Sequence, residues 1–169
     1  MNIVLRELKA HRKALIIWSV CMFLLVLSGM VKGANFTGSG QSINELLGIM
    51  PTSVKALLGF GAFDVSIISG YFAVLFIYME LTAAIHAALL GAGIISKEEN
   101  AKTTEFILVK PVSRFAVITS KFIAALINII IINIVSLISS LALVAAYNKG
   151  KDISSEILLM LITMFIVQL

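Results

Sequence analysis

Residues 122–147 read FIAALINIIIINIVSLISSLALVAAY, 26 positions without a single charge. A helix must present about 20 mostly apolar residues to cross the hydrocarbon core of a bilayer. The run therefore predicts a transmembrane helix, and with it an all-α, polytopic transmembrane helical bundle. Composition agrees. The 169-residue chain is 60% hydrophobic and 13% charged, with a mean hydropathy of +1.06, whereas soluble domains carry about 25% charged residues.

Two upstream runs have the same character. Residues 71–95 are interrupted by Glu80 and His86, and residues 14–31 form an uncharged run of 18. The latter exceeds the apolar region of a cleaved signal, about 7–15 residues, and no small-residue cleavage site follows it. It predicts a retained span. Downstream, residues 157–169 are apolar for only 13 positions, too few to cross. No polar terminator closes that run, so it reads as the start of a fourth span in a longer protein. The organisation predicted is a single transmembrane domain: interfacial helix 1–13, first span 14–31, outer loop 32–70, second span 71–95, inner helix and turn 96–113, third span 114–147, outer loop 148–156, and the start of a fourth span at 157–169. Cys21 is the single cysteine, which excludes a disulfide or a cysteine metal cluster within one chain.

Basic residues set orientation. Arg6, Lys9, Arg12 and Lys13 precede the first span, and Lys97, Lys102, Lys110, Arg114 and Lys121 lie between the second and third, so nine of the 13 basic residues fall on one side. The loops on the other side balance Lys32 and Lys55 against Glu45 and Asp64, and Lys149 and Lys151 against Asp152 and Glu156. This predicts a multi-pass cell-membrane protein, of bacterial plasma-membrane type, with a cytoplasmic N-terminus. The net charge of +4 is a product of this asymmetry and does not predict a nucleic-acid partner; the lipid bilayer is the expected surrounding.

The loops carry punctuation of their own. KGANFTGSGQ at 32–41 is rich in Gly and Ser and predicts a flexible stretch. Ser42 and Glu45 have capping-box spacing before a short helix through Ile49. Pro51 suits the first position of a second short helix to Leu58, with Gly59 as its stop. Two short amphipathic helices outside the spans are expected at the interface, as is the basic segment 1–13.

The inner segment, SKEENAKTTEFILVKPVSRFAVITSK at 96–121, holds eight charged residues between long apolar runs. Ser96 and Glu99 have capping-box spacing. Glu98 and Glu99 would oppose the dipole of a helix beginning there, with Lys110 at its far end. Pro111 ends it, and Ser113 can cap the next. Arg114 and Lys121 are expected to snorkel to the inner headgroups. The short amphipathic helix exposes Phe106, Ile107, Leu108 and Val109. From the residues alone it lies on headgroups or docks on a protein.

This segment resembles the first cytoplasmic loop of ABC-2-type transporter permeases, in which an acidic start leads to a Thr, a hydrophobic pair, a Pro, then Ser-Arg and a Lys. Glu98, Thr103, Ile107, Leu108, Pro111, Ser113, Arg114 and Lys121 match; Lys102 departs, standing where a Gly is common. The order of elements is also similar along most of the chain, here its N-terminal portion, although such permeases usually have six spans. The resemblance implies a permease subunit, usually of an exporter. It implies that residues 97–110 are a coupling helix seated in a groove of a separate cytoplasmic ATPase subunit, with Glu98, Glu99, Thr103, Glu105, Phe106, Leu108 and Arg114 as the docking residues. ATP and Mg would belong to that partner, leaving this chain without cofactor or enzymatic activity of its own, and a second permease copy or homologue would complete a dimer.

Polar residues inside the spans are the remaining candidates. Glu80 is the only intramembrane acid, and a charge at mid-bilayer costs about 2.5–3.5 kcal/mol on insertion scales. Ala84, Ala87 and Gly91 share its helical face, so Glu80 is expected against a neighbouring helix or cavity, as a substrate or proton site or as a packing residue. His86 lies about 120° from that face at 100° per residue, and the two do not form a HExxH metal motif. On the third span Asn133, Ser136 and Ser140 share a stripe and are expected to make interhelical hydrogen bonds, with Asn128 off it. A structural or regulatory membrane protein without transport is the alternative reading, and an intramembrane enzyme would have only Glu80 and His86 to work with.

Overall fold

A computed structural model describes residues 3–38, 48–57, 67–100, 114–147 and 152–169. It is a bundle of helices, with no strand among the described residues. α1 spans Ile3–Gly38, α2 Thr52–Leu57, α3 Ile68–Asn100, α4 Arg114–Tyr147 and α5 Ser154–Gln168. Three of them hold stretches apolar and long enough to cross a membrane: Ile3–Ala34, Ile68–Ile94 and Phe115–Tyr147.

α1 is one helix of 36 residues. No Gly or Pro occurs between positions 3 and 28, so nothing interrupts propagation from the basic segment into the apolar run. It also continues past Val31 through residues 32–38, where the glycines predict a flexible loop. That continuation has a packing reason at Gly33, given below. α2 follows the expectation of a short helix, but Pro51 stands just before it. The Pro51 carbonyl accepts the amides of Val54 and Lys55 at 3.0 and 3.1 Å, so Pro51 supplies the cap and not the first helical position. α3 is likewise unbroken through Asn100. Ser96 therefore sits within a helix and does not start one, and its capping-box reading does not hold. The Ser42–Glu45 cap, Gly59, and residues 101–113 lie outside the described residues.

Residue numbers rising along α1 meet falling numbers on α3. Trp18 and His86 stand 5.3 Å apart edge to face, and further along the Tyr71 hydroxyl donates to the Gly29 carbonyl at 2.9 Å. α3 and α4 are antiparallel in turn, joined where Lys121 reaches Ile94. α1 and α4 thus run parallel, and their contact is the most extensive in the bundle; α5 packs on α4 and α3. The core forms where these four helices meet, around Met22, Val26, Met30, Phe72, Met79, Ile132, Ile157 and Met164. The outside is as apolar as the inside: Ile17, Leu81, Phe122, Ile138 and Leu159 are among many large side chains left exposed. Lipid tails are as apolar as Leu, so such a surface costs nothing in a bilayer.

Candidate functional site

At one end of the bundle the chain enters and leaves the polar segment. Lys121 lies there about two turns into α4, only 8% exposed, and its Nζ donates to the Ile94 carbonyl at 2.6 Å. The snorkelling expected of Lys121 does not occur. Ala124, about one turn on, is fully buried on the same face of α4. Glu7 is buried too, with Arg6 Nη2 3.3 Å from its Oε1. Counting residues along α3 from the Trp18–His86 contact, Glu7 lies roughly one turn from the level of Lys121. Two opposite charges are thus withdrawn from solvent at this end.

The other end is held by shape. Cβ atoms built on Gly29 and Gly33 would lie 2.5 Å from Leu75 Cδ1 and 2.7 Å from Tyr71 Cε1. Gly29 and Gly33 are four residues apart, one turn of α1, the small-xxx-small spacing that lets helix backbones approach within a membrane. α3 lays its Leu75 and Tyr71 side chains into that track. Gly33 stays helical because its bare face is filled by a ring.

Between the ends, the core-facing stripe of α3 is Phe72, Leu75, Phe76, Met79, Ala83, His86, Leu90 and Ile94. His86 belongs to it, 3% exposed, with Nδ1 unpartnered among the described residues. Glu80 sits at the edge of that stripe, half-buried. Gly91 is exposed, with nothing within 4 Å of a built Cβ. The small-residue face of Glu80 is therefore not the close-packed one. On α4 the expected polar stripe divides. Asn133 does make an interhelical bond, its Nδ2 donating to Gln168 Oε1 on α5 at 2.7 Å and to its own Ile129 carbonyl at 2.9 Å. Ser136 instead bonds back to Ile132, and Ser140 Oγ has no partner among the described residues. Asn128, off the stripe, is buried and bonds back to the Ala124 carbonyl at 2.7 Å. Asn133 also floors a groove of about 290 Å³ between α4 and α5, lined by Ile130, Ile134, Leu137, Leu158, Leu161, Ile162 and Phe165.

Of the docking residues, Glu98 and Glu99 fall in the last turns of α3 and Arg114 begins α4; Thr103, Glu105, Phe106 and Leu108 lie outside the described residues. Sequence reasoning passed over Gly29, Gly33 and Tyr71, which the structure brings together, and Glu7, which it buries at the opposite end of the bundle. The glycine pair carries a legible signal in its spacing; Glu7, inside a basic amphipathic segment, carries none.

A family model described as ABC-2 family transporter protein matches residues 1–169. No curated protein matches the chain, and no solved structure does. A match along the whole sequence, on a bundle with three membrane-length apolar helices and a polar segment between the second and third, is a family assignment: the chain belongs to the ABC-2 family of transporter proteins, as a multi-pass membrane permease component.

Proposed function

We propose that the chain is the membrane-spanning subunit of an ABC exporter, driven by a separate cytoplasmic ATPase that docks on residues 97–110. The observation that carries this is the segment itself. A charged stretch with the apolar run Phe106, Ile107, Leu108 and Val109 is set between two membrane-length helices, in a chain of this family. The split of basic residues supports a cytoplasmic N-terminus and a cytoplasmic segment in the cell membrane. ATP and Mg are held by the partner, and two permease copies or homologues flank the transport path.

A hydrophobic anchor at the centre of an interface contributes about 2 kcal/mol or more. Phe106→Ala should therefore weaken copurification of the ATPase at least tenfold, since about 1.4 kcal/mol is a factor of ten. Membrane insertion should be unchanged, because Phe106 lies outside every span. The test uses the full-length protein expressed with each candidate ATPase of its own genome. Capture of none of them, together with weaker binding of the Phe106→Ala protein to anionic liposomes, would make the segment a membrane-surface element and remove this reading.

A further inference from the structure

Lys121 is the only buried lysine among the described side chains. Withdrawing an ammonium from water is costly unless strong partners replace the lost hydration. A lysine near a helix end has an inexpensive alternative, which is to run its stem outward along apolar surface. Lys121 instead points inward, to a backbone carbonyl 27 residues earlier in the chain. Ile94 lies inside α3, where its carbonyl already serves the helix; a carbonyl has a second lone pair, and the ammonium takes it. A charged donor in apolar surroundings makes a short, strong bond, and 2.6 Å fits that.

The position of the bond gives it a mechanical meaning. In sequence the polar segment lies between Ile94 and Lys121, so this bond joins the two helices on either side of it. We propose that Lys121 is a positioning residue that ties α3 to α4 at a fixed separation, so that a displacement of the 97–110 segment reaches both helices as one body. The inference rests on the docking reading for its consequence, but the tie itself can be tested without an ATPase.

Spin labels at Leu89 and Ile118, which are exposed on α3 and α4 near the tie, report the separation in the full-length protein in nanodiscs. The unsubstituted protein should give one narrow distance distribution. Lys121→Met, which keeps the stem and removes the donor, should at least double its width. Lys121→Arg, which keeps charge and donors, should stay near the original width, a rescue that a purely space-filling role does not predict. In the complex with its ATPase, trapping with ATP and vanadate should leave the distribution narrow in the original protein and broaden it further in Lys121→Met, with ATPase copurification unchanged. An unchanged width in Lys121→Met, with or without the ATPase, overturns the tie. Failure to capture any ATPase defeats the docking reading alone, and the label widths still judge Lys121. Should Lys121→Met not accumulate, Lys121→Gln, with less reach and no charge, is measured in its place with the same expectation.

Discussion

The two ends of this bundle are fastened by opposite means. At the glycine end, Gly29 and Gly33 admit Leu75 and Tyr71, and geometry is fixed by contact alone. At the lysine end, a charge is carried into the apolar interior, where it bonds the Ile94 carbonyl. Close packing resists any displacement, because dispersion contacts are lost within a fraction of an ångström. A hydrogen bond to a carbonyl fixes the separation of two points without requiring the surfaces around it to interlock. The difference sets an end held by shape against an end held by polar bonding, with the polar segment attached at the second.

The comparison is broken most severely at Gly33. Adding a methyl group there forces overpacking, which costs about 1–3 kcal/mol, against a gain of about 1 kcal/mol from replacing a helical Gly by Ala. Gly33→Ala should show a net loss of stability in detergent-denaturant titration. Gly29→Ala should be near neutral, although its built contact is the shorter one. It meets the tips of a Leu, which can rotate, whereas Gly33 meets a ring whose hydroxyl is already bonded.

A smaller effect sharpens the same point. Tyr71→Phe removes the bond to the Gly29 carbonyl, and intramembrane hydrogen bonds average about 0.6 kcal/mol. The unfolding equilibrium should shift about threefold. Because the ring is then free to tilt, Gly33→Ala should cost less in the Tyr71→Phe background than alone. Additive losses in that double-mutant cycle would show that the hydroxyl does not hold the ring.

The smallest effect lies at the start of α5. The Ser154 hydroxyl and amide both donate to Asp152 Oδ1, the amide at 3.0 Å. These bonds, the hydroxyl's first, hold the carboxyl below its ordinary value. A lowered folded pKa means that the stabilisation is present above the unfolded value, about 3.9, and is lost as pH falls through the lower folded value. Amide-exchange protection at Ser154 should fall over that acidic range relative to the unfolded-chain rate. Asp152→Asn should flatten the dependence. The side chain is fully exposed, so the change should stay confined to the first turn of α5.

The spans were legible because length and charge-free composition are all that a bilayer asks of a helix. Which face packs was not. α3 is apolar nearly all round, and lipid and protein reward an apolar side chain equally. The small residues beside Glu80 therefore pointed to one face while Met79, Ala83, His86 and Leu90 formed the buried one. Glycines at 32–41 read as a flexible loop because a glycine's local cost is visible in sequence and its tertiary partner is not. Tyr71 is that partner for Gly33, 38 positions away. Lys121 failed as a snorkelling residue for the same reason: its acceptor is a backbone carbonyl on another helix, which no side-chain pattern announces. Within the candidate site, the extent and charge of the polar segment were readable, and the tie at its base was not.

The continuity of α1 has a further consequence for how this protein meets the membrane surface. Residues 14–31 span about 27 Å at 1.5 Å per residue, close to the hydrocarbon thickness of about 30 Å. With no Gly or Pro before position 28, the helix has no hinge at which residues 3–13 could fold flat. With residues 14–31 taken as the span, they would continue past the membrane surface along the axis of the same helix. Arg12 and Lys13 are then at the headgroups, while Lys9 and Arg6 rise roughly 6 and 10 Å higher on the same rise per residue. A surface potential fades within a Debye length of about 8 Å at physiological salt, and each basic residue near an anionic surface gains about 1 kcal/mol. The four charges should therefore differ in kind. The lower pair should hold to the lipid surface at physiological salt, and the upper pair should sense it only when ionic strength is low.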